Sequence, residues 1–479
     1  MVLWRKHGWR LLAATAMIVG GQAAFAAEPS AITAASVLPL GVSGGGVIGW
    51  VLIAAFLVVF MQTGFAMIET GLCRAKNAAH TMSMNLMIFA LGAIGFWAYG
   101  FAFGWGNSIH VHFAPSLRHG DGTFNSGLIG LKGFFLNGLT DPGVLALFFF
   151  TMTLANIAAV IPTGVMAERW RWKNFCLYGL WAALPFSIYA HWIWGGGWLA
   201  NIGVNWNLGH GAVDFAGSGT VHALGGIIGL AGVLVLGPRA GKYSLEGRPF
   251  PIPAHHLPMV VIGTLILAFG WFGLNSGWAF TVLNVQVSTI AVNTALAGAA
   301  GAIAAMLTLQ LKGLKPDTTL MCNGILSGLV AISASCAFVD GWAAVLIGAI
   351  AGSLVVFSVF FWELHHIDDP VGAISVHGIN GLWGLLALGL FANGKYGDGW
   401  NGVAGGVRGA FYGDVSQLYA QLLDAAVVAV FGFLMAYVWF KLSNRITPIR
   451  VSMETEMAGL DGPEMGAIGY PDFTVASRS

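Results

Sequence analysis

Charge is the first thing this 479-residue chain is short of. Asp, Glu, Lys and Arg make up 9% of it, where soluble domains carry about 25%. That is too little to dress a water-facing surface, so a soluble enzyme and a disordered chain are excluded. The 21 basic residues are offset by 20 acidic ones, which leaves no cationic face for a nucleic acid. Cysteine is scarce as well. Cys73, Cys176, Cys322 and Cys336 form no C-x-x-C pair, so neither a disulfide framework nor a zinc site is indicated. The last two are expected on one helix, too far apart to bridge. What fills the chain instead is apolar: 57% hydrophobic residues, with 69 Gly and 32 Phe. Small residues let membrane helices pack closely, and the composition is that of a polytopic membrane protein.

Arg5, Lys6 and Arg10 precede an apolar run from Leu11 to Gly20, and Ala24-Phe25-Ala26 follows. This order reads as a secretory signal peptide over 1–26, the alternative being a short first membrane helix. Beyond it, eleven apolar segments have spanning length, at about 46–70, 79–105, 143–167, 175–200, 214–237, 256–280, 288–311, 319–339, 341–362, 371–392 and 417–441. With the mature N-terminus outside, one set of loops holds Arg74, Lys76, Arg169, Arg171, Lys173, Arg239, Lys242, Arg248, Lys312 and Lys315. The other set holds only Arg118, Lys132, Lys395 and Arg408. The asymmetry obeys the positive-inside rule. It makes 442–479 a polar cytoplasmic tail after a transmembrane domain over 27–441.

Titratable residues within spans are costly and point to function. The segment DFAGSGTVHALGGIIGL begins at Asp214, and DPVGAISVHGINGLWGL begins at Asp369. Both read D-x-x-G-x-x-x-V-H-x-x-x-G-x-x-G-L. The fifth span runs inward and the tenth outward, so the expected fold is all-α, an inverted repeat of 5+5 helices (about 46–237 and 256–392) plus one C-terminal helix, 417–441. Eight helical residues cover about 12 Å, which carries His222 and His377 from opposite faces toward the middle of a core about 30 Å thick. Two neutral imidazoles in contact form a short polar wire and can take or pass a proton. Bis-histidine haem ligation is the rival chemistry, but each helix offers one histidine only, so no cofactor and no metal are expected. Asp214 reads as a helix cap, with direct cation binding the alternative, and Asp369 reads as its counterpart.

Taken together, these residues resemble the ammonium transporter/Rhesus family over nearly the whole mature chain. DFAGSGTVH at 214–222 and DDPVGAISVHG at 368–378 are similar to its two histidine segments, and GFAMIETGLCRAKN at 64–77 to its first-span motif. AERWRW at 167–172, AHWIWGGG at 190–197, GWFGLNSG at 270–277 and the tail GLDGPEMGAIGY at 459–470 are similar as well. In that tail Met465 and Ala467 replace the usual His and Glu. The resemblance implies a homotrimer in the bacterial inner membrane, one pore per subunit, with His222 and His377 as the twin histidines and Asp214 as the essential aspartate. It makes Trp194 the outer-vestibule tryptophan. The two stacked phenylalanines of the family align with Leu154 and Leu274, its vestibule serine with Trp278 and its threonine with Ser333. Phe150, near Leu154, is a substitute gate or a packing residue, as is Phe149.

The expected activity is therefore ammonium transport, with methylammonium as an analogue, rather than enzyme catalysis. A vestibule recruits the cation through π faces, deprotonation avoids carrying a charge through an apolar pore, and ammonia passes the histidines with or without the proton. Potassium cannot lose a proton and is rejected. The rival functions are an ammonium sensor of the same fold, motivated by Leu154, Leu274 and Trp278, and a neutral-gas channel. A P-II regulatory protein at the cytoplasmic face is an expected partner; a nucleic acid is not.

Overall fold

The computed structural model describes residues 45–106, 127–279 and 287–471; the signal peptide expected at 1–26 lies outside them. The described residues form helices and turns, with isolated bridges such as Trp170 to Arg450 and no strand. In chain order the helices are α1 (Gly45–Leu72), α2 (Ala78–Gly95, continued by a π-turn at Phe96–Gly100 to Trp105), α3 (Pro142–Val165), α4 (Trp172–Trp181), α5 (Ala183–Ile193) and α6 (Ser218–Leu236). Then follow α7 (Leu257–Ser276), α8 (Val287–Leu311), α9 (Thr318–Ile332), α10 (Gly341–Leu364), α11 (Ile374–Phe391), α12 (Val415–Ile446) and a short tail helix, α13 (Met453–Ala458).

Nine helices among the described residues are long and apolar enough to cross a membrane. Two of the eleven expected segments take another form. The segment at 175–200 is divided into α4 and α5 at Ala182, whose dihedrals stay helical (φ −58°, ψ −28°). Pro185 explains the break: it has no N–H, and its ring crowds the carbonyl four residues back, at Trp181. The segment at 319–339 ends its helix early, at Ile332. There the chain entering α6 takes over the free carbonyls: Phe215 N donates to Ala334 O at 3.2 Å and Ala216 N to Ser333 O at 3.0 Å. Cys336 consequently lies in the turn after α9 rather than on one helix with Cys322, and all four cysteines are free thiols.

Burial divides the bundle into inner and outer helices. The most apolar stretches of α3 and α6 are 83% buried, against 22% for α12. Phe56, Leu86, Leu265, Phe357 and Val430 project outward, where lipid tails would cover them. α1 lies along α7, α8 packs on α9 and α10, and α6 packs on α3 and α12. α6 and α11 cross at the centre, each resting on the first turn of the other.

One end of the bundle is bound together by ions. Glu168 is buried with φ +71°; it pairs with Arg74 and, at 2.6 Å, with Arg239. Arg239 also holds Asp368 through Nε at 2.9 Å and Nη2 at 2.9 Å. Burial works to raise the Asp368 carboxyl, but Arg169 and Arg239 outweigh it and hold the group well below the usual carboxylate range. The tail folds back over this end. Asp461 accepts from Ala79 N (3.1 Å) and His80 N (2.9 Å), Glu464 from Trp172 N (2.8 Å), and Glu456 from Arg450 and Ala240 N.

Candidate functional site

The centre of the bundle is made by the motif that occurs twice. In α6, Gly217 takes φ +104°, a left-handed turn that suits glycine, and turns the chain so that Asp214 lies under the following amides. Asp214 accepts from Gly217 N (3.0 Å), Gly219 N (3.0 Å), Thr220 N (2.7 Å) and Thr220 Oγ1 (2.8 Å). In α11, Gly372 takes φ +76°. Asp369 accepts from Val371 N (3.2 Å), Gly372 N (3.0 Å) and Ile374 N (2.7 Å). Both aspartates thus cap helix starts, and Asp214 has four donors upon it. Each helix opens with a single π-turn, Ser218–Ala223 and Ile374–Ile379, a distortion frequent at functional sites.

The π-turns carry the two histidines into contact. His222 Nδ1 and His377 Nδ1 are 3.2 Å apart, and the rings are 5.2 Å apart at 23°, both buried. One proton fits between these nitrogens, so one ring donates and the other accepts. The contact requires close backbones. A Cβ on Gly226 would lie 2.2 Å from Gly378 N, and one on Gly381 would lie 2.4 Å from Ser218 O. Gly226 and Gly381 occupy the same position in the two copies of the motif.

Trp271 stacks on His222, 4.9 Å away at 18°, and Phe65 lies 5.9 Å from His377. His222 Nε2 is buried without a hydrogen-bond partner among the described residues. Trp271 Nε1 donates to Ser333 Oγ at 3.0 Å, while Ser333 Oγ donates to Leu329 O at 2.8 Å. The hydroxyl of Ser333, expected in the vestibule, is thereby committed to positioning Trp271.

One side of the histidines is closed by aromatic rings. Trp194 and Trp278 are 4.7 Å apart, Phe150 meets Trp278 edge-on at 5.4 Å, and Trp194 Nε1 donates to Asp214 O at 2.7 Å. Leu154 and Leu274 are fully buried. Leu154 lies one turn along α3 from Phe150, and Leu274 follows Trp271 by three residues on α7, with Trp278 just past the end of that helix. Phe150 belongs to the rim itself; Phe149 turns outward to Phe56, at 5.8 Å. On the other side is a small cavity of about 20 Å³ bounded by Phe65, Glu69, Asn323 and His377. Trp271 and Glu69 escape sequence reasoning, although each lies inside a quoted motif, GWFGLNSG and GFAMIETG. Among the described residues no cluster of His, Cys, Asp and Glu could hold a metal ion.

Comparisons with known proteins agree over this whole region. The model of the Ammonium Transporter Family matches residues 49–470. An ammonium transporter of Archaeoglobus fulgidus is 45% identical over 428 residues, covering 88% of each chain. An ammonium transporter of Bacillus subtilis is 34% identical over 421 residues, 87% of this chain and 96% of that one. Among solved structures, a sensor Amt protein is similar with a TM-score of 0.76 and 31% identity, covering 88% of this chain and 98% of the other.

Proposed function

The chain belongs to the ammonium transporter family, and from that premise we propose that it takes up ammonium through a pore gated by aromatics and leucines and lined at its centre by His222 and His377. The 3.2 Å contact of two buried imidazoles behind an aromatic rim carries this reading. The faces of Trp194 and Trp278 replace part of the water around an arriving cation. Past Leu154 and Leu274 the path is apolar, and a bare charge there costs several kcal/mol even after relaxation. Ammonium therefore sheds a proton and ammonia moves on. The proton stays outside or follows along the Nδ1–Nδ1 contact. Potassium, which has no proton to shed, is excluded.

Eleven crossings follow if α9 and the kinked α4–α5 pair each cross once beside the nine long helices. The inverted repeat draws support from the Asp–Gly–His geometry in α6 and α11 and from the reciprocal packing of their first turns. The basic loops interact at one end of the bundle, with Arg74, Arg169 and Arg239 in one network. We take that end as cytoplasmic, which puts a mature N-terminus outside once 1–26 is removed. The reading includes a homotrimer and a P-II regulatory protein at the cytoplasmic mouth, which light scattering and co-elution test.

Ammonium-evoked current from proteoliposomes on a supported membrane tests the function. His222→Ala and His377→Ala are each expected to abolish selective current; unchanged, selective current in both removes the histidine path. A second reading, an ammonium sensor, is favoured by the likeness to a sensor Amt protein and by leucines at the gate. Methylammonium binding without flux decides for it.

A further inference from the structure

We propose that Glu69 is a proton-handling residue of the path, the group that returns a proton to ammonia in the cavity beyond His377. The proposal rests on the transport reading above. Glu69 lies on α1 one turn past Phe65, and Phe65 is the ring beside His377. Both Glu69 and His377 border this small cavity, and among the described residues they are the only titratable ones that do so. The rest of its wall is apolar apart from Asn323, whose amide is committed to Val371 O at 3.1 Å.

Among the described residues the other buried acids lie outside this cavity wall, and most have a structural duty. Glu168, Asp368 and Glu456 are paired with arginines. Asp214, Asp369 and Asp461 accept from backbone amides at helix starts, and Asp424 is bonded to the Tyr189 hydroxyl. Glu69 does neither of the first two. It lies within a helix, 2% exposed, and takes part in none of the ion pairs among the described residues. Its Oε2 accepts from two neutral donors, Asn85 Nδ2 at 2.7 Å and Thr163 Oγ1 at 2.8 Å. A glutamine would accept these two side-chain bonds, and the Gly164 amide, which also donates to the carboxylate, is the one partner it would lose. An ionisable group at membrane depth is costly, and its presence marks a proton or ion route. The charged and titratable groups that face it are His377 across the cavity, Asp369 behind its wall and the Cys73 thiol at the end of α1.

The step balances. A proton passed from the imidazole pair by His377 converts the Glu69 carboxylate to the acid. Ammonia entering the cavity takes that proton: the carboxyl O–H bond breaks, an N–H bond forms on the nitrogen lone pair, and ammonium leaves beside a regenerated carboxylate. No electrons change hands, and one proton and one ammonia leave as one ammonium.

Parent, Glu69→Gln and Glu69→Asp proteins in proteoliposomes are compared by ammonium-evoked current and by ammonium-induced infrared difference spectra. The parent is expected to show a carboxylic-acid band that vanishes in Glu69→Gln. Glutamine lowers the current by about a hundredfold, within the range of a positioned proton-transfer group, and aspartate keeps most of it. A glutamine variant with parental current overturns the proposal and leaves the transport reading standing. If the parent itself carries no flux, the transport reading fails and the spectra decide: a band lost in Glu69→Gln supports Glu69 as the proton group, and no such band overturns it. If melting shows that the glutamine variant does not fold, the pH profile of Glu69→Asp is read instead. A displaced profile supports the proposal and an unchanged one overturns it.

Discussion

The segment from Asp214 to His222 and the segment from Asp369 to His377 share a backbone device but not a neighbourhood. In both, an aspartate caps a π-turn across a glycine of positive φ and aims a histidine at its twin. Around the first copy the surroundings are mainly aromatic: Trp194 is tied to Asp214, and Trp271 is stacked on His222. Around the second, Asp368 and its arginines lie on one side, and the cavity of Glu69 on the other. The motif fixes where the imidazoles meet, and the flanking residues decide what each face does.

The sharpest break in this likeness is expected from the caps. Asp214→Ala strands three amides and a hydroxyl in a buried site, at about 1–3 kcal/mol for each group left unsatisfied, whereas Asp369→Ala strands three amides and no hydroxyl. Melting in detergent should show a larger loss for Asp214→Ala; equal losses would make the two caps equivalent. Next comes Asp368→Asn, which leaves Arg169 without its buried carboxylate and Arg239 with Glu168 alone, at about 3–5 kcal/mol. The sign of its pH dependence is fixed. A carboxyl depressed in the folded state contributes stability that is full above its unfolded value, near 4, and is lost as pH falls toward the lower folded one. The parent should therefore lose melting temperature on acidification below about pH 4, and Asp368→Asn should flatten that slope. A parallel slope in the variant refutes the assignment.

The glycines test the likeness where it is strongest. Gly226→Ala and Gly381→Ala each force a Cβ against backbone of the opposite helix, and similar destabilisation of about 1–3 kcal/mol is expected from both. A tolerated alanine at one alone would mean that only one copy sets the crossing. The smallest effect is expected at Trp271→Phe, which retains a ring on His222 but loses the bond to Ser333, about 1 kcal/mol. Its current should fall modestly while Ser333→Ala behaves alike; additive losses in the double variant would show that the two residues act separately.

The pairing of His222 with His377 was legible in the sequence because both copies of the motif hold the same spacing from aspartate to histidine, and a helix converts spacing into depth. The caps were legible for the same local reason. Trp271 was not, because its meaning depends on which face of α7 turns inward; Glu69, an acid inside the span expected at 46–70, carries the same signal as the histidines, but only the fold shows that it borders their cavity. Ser333 was placed by likeness alone; its engagement with Trp271 is a tertiary contact between α7 and the end of α9. The break at Ala182 follows from Pro185, a signal that hydropathy, continuous over 175–200, does not carry.

Main chain meets main chain where Gly226 faces Gly378, with no layer of side chains between them to reshuffle. Two rods in such contact cannot rock apart without leaving a void at the membrane's driest level. On the transport reading, the path beside them is then a fixed fitting, and passage needs only small side-chain swings around it. Flux should then vary with temperature as diffusion through a static conduit does, without the steep activation of a carrier that turns itself inside out.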